Sequence, residues 1–308
     1  MKRLLVIVGI LAAVVGGWIF MVELMMALNP SPLDTQPNPY GTSEAPTPST
    51  VVIHLSYDEL VEQVIPAAGS TVSVQWNDMG QQLVTAGAID LEKFENQYDG
   101  LTTEQQEILQ GNRLTEITFT PENIQFWTNV LWSLGLVQQS KVLSEGPMMQ
   151  NVGEIPLENY ASTGGWTLGS LDAVTLYNSV SLMSLTPEQD DLVYRVTENI
   201  FRPCCGNPTV FPDCNHGMAV LGLLELLASQ GANEDEMYQA ALVFNSYAFP
   251  HTYITLAAYF ASQDTTWTEV DPAVALGPEY SSGSGARHIA AVVGPIPGSP
   301  NQGGSCST

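Results

Sequence analysis

The sequence predicts an all-α protein: a compact domain of about ten short helices behind an N-terminal transmembrane anchor and a proline-rich linker. Three observations predict this fold. Apolar residues recur at spacings of three and four, helix-capping residues precede these segments, and glycines follow them. Strand-like runs are few, and we place them at 51–54, 117–119 and 289–293.

The N-terminus has the pattern of a membrane anchor. An apolar segment from Leu4 to Leu28 follows two basic residues and is interrupted only by Glu23. About 20 apolar residues cross a bilayer core, and leading positive charges favour a cytoplasmic N-terminus. We therefore expect residues 1–28 to be a single-pass anchor in the cell membrane, with the bulk of the chain extracytoplasmic. A cleaved signal peptide is the alternative, and it would export the domain as well.

The rest of the chain divides by composition into three parts. Residues 29–50 are rich in Pro, Ser and Thr and carry little hydrophobicity, which is typical of a semi-extended linker. Residues 51–276 carry the helical pattern and form the predicted extracytoplasmic domain. Residues 277–308 are rich in Gly, Ser and Pro, so we expect a tail that wraps the surface or is disordered.

Helix starts in the domain are marked by capping boxes, in which two side chains satisfy exposed amides at a helix N-terminus. Ser56 with Glu59 and Thr102 with Gln105 fit this pattern, and Thr186 is followed by Pro187 and Gln189. The predicted helices are 57–65, 78–86, 91–98, 103–110, 121–134, 170–184, 187–201, 215–230, 234–248 and 251–262. Their predicted ends include Gly87, Gly111, Gly135 and Gly231.

The charge of the chain restricts its partners. The formal net charge is −24, and only 8 residues are Lys or Arg. Nucleic-acid binding is excluded on this basis, because it depends on clustered basic residues that displace counterions from phosphates. Metal ions, other cations, neutral ligands or basic proteins are the partners that suit such a charge.

Three of the four cysteines fall in one short loop that also precedes a histidine and a methionine. Thiolate, imidazole and thioether ligands together suit a soft metal, above all copper, in metal handling or electron transfer. The spacings typical of zinc sites, C-x-x-C and H-x-x-x-H, do not occur. The candidate metal ligands are Cys204, Cys205, Cys214, His216 and Met218. Cys214 and Met218 would share a helix face, so a single site that includes His216 requires the helix to begin after His216, or at Asn215 as its cap with His216 turned back.

Two other functions fit the same residues. In an oxidising compartment, Cys204 or Cys205 can form a disulfide with Cys214, and the remaining thiol can pair with Cys306. The loop would then stabilise a noncatalytic interaction domain. Alternatively, Cys214 at a helix N-terminus is a nucleophile and His288, at the start of the strand-like run 289–293, is its base. This order resembles that of papain-like cysteine hydrolases, and the resemblance implies thiol-dependent hydrolysis.

Overall fold

The computed structural model describes residues 53–111 and 114–300, so the predicted anchor and linker lie outside the described residues. All of the described residues belong to one compact unit of the chain. Within the described part the protein is mostly helical, with 57% helix and 5% strand. None of the helices in these two ranges combines the length and apolarity that a bilayer crossing needs.

The described elements form a helical domain with one small two-stranded antiparallel sheet. The N-terminal half contains α1 (Tyr57–Val64), β1 (Ser70–Ser73), α2 (Met79–Thr85), α3 (Leu91–Gln97), α4 (Thr103–Gln110), β2 (Glu116–Phe119), α5 (Ile124–Val137), α6 (Lys141–Glu145) and α7 (Pro147–Gln150). The C-terminal half contains α8 (Ala161–Gly164), α9 (Ala173–Leu176), α10 (Pro187–Thr197), α11 (Asn215–Ser229), α12 (Glu234–Ala248), α13 (Pro250–Ala261), α14 (Pro272–Ala275), α15 (Pro278–Ser281) and α16 (Gly283–Val293). Two 3-10 turns, Leu157–Asn159 and Trp267–Glu269, complete the described elements.

The predicted capping boxes form at the starts of α1, α4 and α10. At α1, Ser56 Oγ accepts a hydrogen bond from the Glu59 backbone N–H at 3.3 Å, and the Glu59 carboxylate accepts one from the Ser56 N–H at 2.8 Å. Gly111 ends α4 in the left-handed conformation with φ 99°, as its position predicts. These local signals are correct because they depend only on neighbouring residues.

Gly135 was predicted to end a helix, and this prediction is wrong because α5 continues to Val137. Its role is a close helix crossing instead. A Cβ atom at Gly135 would lie 2.1 Å from the Met218 carbonyl oxygen on α11, and one at Gly222 would lie 2.4 Å from the Leu131 carbonyl oxygen on α5. The two glycines therefore let the backbones of α5 and α11 touch.

These two helices form the centre of the core. Residues 126–137 of α5 and 217–228 of α11 are buried on every side, which is typical of a helix enclosed by others. Helices α10 and α12 pack against α11, and α13 packs against α1 and α16. The cysteine loop thus ends at the N-terminus of a helix that is buried in the core.

The predicted helix 170–184 is wrong. Only α9 (Ala173–Leu176) forms there, and Asn178 then takes a left-handed conformation with φ 53°. The buried side-chain carbonyl of Gln138 accepts a hydrogen bond from the Met183 N–H at 2.9 Å. A tertiary contact therefore satisfies the backbone that a helix would otherwise have satisfied internally.

The strand 117–119 is confirmed within β2, and its antiparallel partner β1 was not predicted. Ser70 of β1 pairs with Phe119 of β2. The proposed strand at 51–54 does not form at Ile53 and His54, and the first two of its residues lie outside the described ranges.

The C-terminal segment was expected to be an irregular tail, but its described part folds into α15 and α16. Ser282 Oγ caps α16 by accepting a hydrogen bond from the Gly285 N–H at 3.0 Å. The strand-like run 289–293 is part of this helix, because Ile289 and Val293 lie four apart and face the core together. The prediction of a strand there is wrong.

Candidate metal centre

The cysteine loop joins the end of α10 to the start of α11 and folds back on itself. The Thr209 N–H donates to the Ile200 carbonyl at 2.8 Å, and the Val210 N–H donates to the Thr197 carbonyl at 3.0 Å. These bonds close the base of the loop. The cysteines at its two ends, Cys204 and Cys214, are thereby brought next to each other.

A fully buried arginine, Arg202, holds the interior of this loop. Its guanidinium group donates to Asp213 Oδ1 at 2.8 Å, to the Phe211 carbonyl at 3.2 Å and to Cys214 Sγ at 3.1 Å. A Cβ atom at Gly217 would lie 2.5 Å from Arg202 Cζ, so only glycine leaves room for the guanidinium. Arg202 was not among the predicted site residues, although its place two residues before Cys204 was a signal for it.

Cys214 occupies the N-cap position of α11, and its sulfur accepts a hydrogen bond from the Gly217 N–H at 3.4 Å. The thiols of Cys204 and Cys205, the Arg202 guanidinium and this backbone amide hold the pKa of Cys214 well below its usual range, although burial opposes the shift. The pKa of Cys204 is raised, chiefly because its thiol hydrogen interacts with the sulfurs of Cys205 and Cys214. The loop therefore favours one thiolate beside two thiols.

The three sulfur atoms converge. Cys204 Sγ and Cys214 Sγ are 3.5 Å apart, and all three sulfurs, with that of Cys205, lie within 4.8 Å of one another. A metal ion about 2.3 Å from three sulfurs would hold them about 3.8 to 4.0 Å apart. The arrangement is thus close to what a three-thiolate site requires.

The position of Cys205 depends on the C-terminal helix α16. The Gly283 N–H at its start donates to the Cys205 carbonyl at 2.7 Å. A Cβ atom at Gly283 would lie 3.1 Å from that carbonyl oxygen and 3.3 Å from the Pro203 carbonyl oxygen. Gly283 therefore supports the loop from the segment that the sequence predicts to be an irregular tail.

The other two predicted ligands are placed differently. Because α11 begins after Cys214, His216 lies in its first turn, where its ring packs on Phe249 with centroids 4.5 Å apart. Burial lowers the pKa of His216 and favours the neutral imidazole. Met218 is fully buried in the core. Among the described residues, the group of converging ligands contains the three cysteines and not His216.

The structure also describes three of the four cysteines of the proposed disulfides and the histidine of the proposed hydrolase. Cys204, Cys205 and Cys214 are free thiols in this structure, and Cys306 lies outside the described residues. His288 lies on α16 and is exposed. The strand that carried the resemblance to papain-like hydrolases is therefore absent from this part of the chain.

Comparisons with known proteins give no identity for the chain: no family model matches it, and neither the curated proteins nor the solved structures contain a match.

Proposed function

We propose that Cys204, Cys205 and Cys214 together bind one soft metal ion, Cu(I), for metal handling. The observation that carries this proposal is the convergence of the three sulfurs within 4.8 Å. Thiolates are polarizable ligands that suit Cu(I), which is satisfied by few of them. Structural zinc sites almost always use four protein ligands, so a group of three favours copper over zinc.

The buried Arg202 guanidinium supports the formation of thiolates in the loop. Three thiolates and Cu(I) would carry a net charge of −2, and the buried Arg202 guanidinium reduces it, because it already contacts Cys214 Sγ at 3.1 Å. Asp213 pairs with the same guanidinium at 2.8 Å and fixes its position. A buried cation that is held in place lowers the cost of deprotonating the neighbouring thiols.

The exposure of the three cysteines supports transfer rather than permanent storage. Cys204 is exposed, whereas Cys205 and Cys214 are half-buried. An incoming ligand from another protein can therefore reach the metal from the Cys204 side. The excess of acidic residues over basic ones would concentrate cations near the domain.

The predicted membrane tether belongs to the same proposal. Residues 1–28 would anchor the chain and the linker 29–50 would hold the helical domain at the extracytoplasmic surface. A single-pass protein in the cell membrane, with its metal loop outside, would receive or deliver copper at that surface. The support for this placement is the sequence pattern of the N-terminus.

A competition titration tests the metal proposal. The full chain in mild detergent, fully reduced and free of oxygen, is titrated with Cu(I) against a coloured Cu(I) chelator. We expect one equivalent to bind, with an affinity that falls about 100-fold or more in each of Cys204→Ser, Cys205→Ser and Cys214→Ser. Cys306→Ser is the matched control and keeps the affinity of the parent chain. Loss of one equivalent in the control, or equal binding in all four variants, would contradict the proposal.

The same titration tests whether His216 and Met218 also bind the metal. His216→Gln and Met218→Leu preserve size, and the positions of His216 and Met218 lead us to expect little change in affinity. A large loss in either variant would show that α11 rearranges to bring that side chain to the metal.

The second candidate function is a stabilising disulfide, and the 3.5 Å separation of Cys204 Sγ and Cys214 Sγ favours this pair for it. Such a bond would stabilise the loop by about 2 to 3 kcal/mol. Thiol counting on the chain as isolated distinguishes the two functions. A Cys204 to Cys214 disulfide that forms in the cell, with no Cu(I) binding after reduction, would favour the noncatalytic interaction domain.

A further inference from the structure

An open groove of about 940 Å³ runs between β1 and helices α12 and α14. Residues 71–75 form one wall, and Tyr238 and Val243 lie on the opposite wall. The metal centre contributes no residue to it. The groove is therefore a second candidate site, independent of the cysteine loop.

The wall formed by β1 is an unpaired strand edge. Val72 pairs with Ile117 on β2, and the Val74 N–H donates to the Thr115 carbonyl at 3.2 Å. Because backbone groups point alternately to the two sides of a strand, those of Thr71 and Ser73 point away from β2. Within the described part of the chain, no hydrogen bond from another backbone or side chain reaches them there.

A side chain already pairs with this edge in the manner of a strand. The Gln75 N–H donates to Gln230 Oε1 at 2.7 Å, and the Gln75 carbonyl accepts from Gln230 Nε2 at 2.8 Å. The amide of Gln230 thus makes the two bonds that a residue of a third strand would make. The geometry of the edge is suited to further backbone pairing at Ser73 and Thr71.

The charged residues that line the groove are all acidic. Asp235, Glu236 and Asp271 line it, and its lining contains no Lys, Arg or His. All three carboxylates are exposed, and two of them are fixed in place: Glu236 in the capping box of α12 and Asp271 as the N-cap of α14. A ligand that complements this wall must carry positive charge.

We propose that the groove binds an extended cationic peptide segment of a partner protein, which pairs with β1 as a third strand. Its main chain would bond to Thr71 and Ser73, while alternate Lys or Arg side chains face Asp235, Glu236 and Asp271. Backbone pairing supplies affinity in this mode and the charged side chains supply selectivity. The deficit of basic residues in the chain makes a segment of another protein the occupant, rather than a second copy.

Defined peptides test the backbone pairing without changing the protein. The probe is a capped eight-residue peptide of alternating Lys and Thr, measured by fluorescence anisotropy with the full chain in mild detergent. Two further peptides carry N-methyl groups on one or the other alternate set of amides. We expect one methylated peptide to bind about tenfold weaker and the other to bind like the parent, because only one set of amides faces β1. Equal binding by both methylated peptides, or equal binding by a Glu and Thr peptide, would overturn the proposal.

Matched variants test the charges and the location. The triple variant D235N/E236Q/D271N keeps the helix caps and removes three charges, so we expect binding about five- to tenfold weaker at low salt. E104Q/E154Q/E158Q removes three exposed charges outside the groove and should bind like the parent. Hydrogen exchange in the complex should slow at Thr71 and Ser73 but not at Val72, which is already paired. Unchanged exchange at Thr71 and Ser73, or equal loss of affinity in both triple variants, would place the peptide elsewhere.

Discussion

The buried carboxyl group of Glu225 should make the stability of the domain fall as pH rises. Glu225 lies in the middle of α11 and is 0% exposed. Neither of its oxygens has a hydrogen-bond partner among the described residues, and the nearby Ser140 hydroxyl is likewise buried and unpartnered. Burial penalises the charged form of this carboxyl group and raises the pKa of Glu225 well above its ordinary value. The folded protein therefore retains a proton that the unfolded chain releases.

The size of the effect follows from proton linkage. The unfolded chain loses this proton at a pH of about 4.3, which is the ordinary pKa of a glutamate side chain. Between that pH and the raised pKa of the folded state, only the folded state binds the proton. The contribution of Glu225 to the free energy of unfolding then decreases by about 1.4 kcal/mol for each pH unit. It is fully present below the unfolded pKa and is lost as pH rises through the folded pKa.

The assay is urea unfolding of the full chain in mild detergent, followed by tryptophan fluorescence at several pH values from about 4.5 upward. Glu225→Gln removes the titration, so the difference between parent and variant should change by up to about 1.4 kcal/mol per pH unit. Glu154→Gln, which alters an exposed carboxylate, is the control and should show a constant difference. Parallel pH profiles for the parent and Glu225→Gln would refute the reasoning.

Three further predictions concern the core and the loop. Gly222→Ala should lower the free energy of unfolding by about 1 to 3 kcal/mol in the same assay, since its Cβ would lie 2.4 Å from a backbone oxygen. Gly153→Ala is the control and should not lower it, because the space around Gly153 is open. Arg202→Met should lower the free energy of unfolding by about 3 to 5 kcal/mol, because Asp213 then loses the buried guanidinium that it pairs with. The double variant Arg202→Met/Asp213→Asn should recover part of this loss, because it also removes the unpaired charge. Ultraviolet absorbance should detect the Cys214 thiolate below the ordinary thiol pKa of about 8.5, and Cys214→Ser should abolish it. Because this pKa is lowered, the stability that the thiolate contributes is present above the unfolded pKa and is lost as pH falls through the folded pKa.

Local signals in the sequence predicted much of the helical structure. The helix 103–110 begins at its capping box and ends at a left-handed glycine, both of which depend on adjacent residues. The helix predicted at 170–184 failed because the side chain of Gln138, distant in sequence, binds its backbone. Alternation could not separate a strand from a helix at 289–293, since Ile289 and Val293 fit either pattern in so short a run.

In the candidate site, too, some features were predictable from the sequence and others depend on the fold. Clustering of Cys204, Cys205 and Cys214 is a property of the sequence, and it predicted that these residues belong together. The exclusion of His216 from the sulfur group depends on where α11 begins and on its contact with Phe249. Only the folded loop reveals that Arg202 lies at its centre.

By itself, the sequence determined the helical class, the caps of several helices, the acidic surface and the concentration of thiols in one loop. The tertiary structure decided which ligands meet, that Gly135 and Gly222 serve a helix crossing, and that β1 leaves an edge open to an acidic groove. The physical reason is the separation along the sequence of the residues that interact. Caps and turns are satisfied within a few residues, whereas buried charges, close backbone contacts and strand edges are defined by segments that meet only when the core is packed.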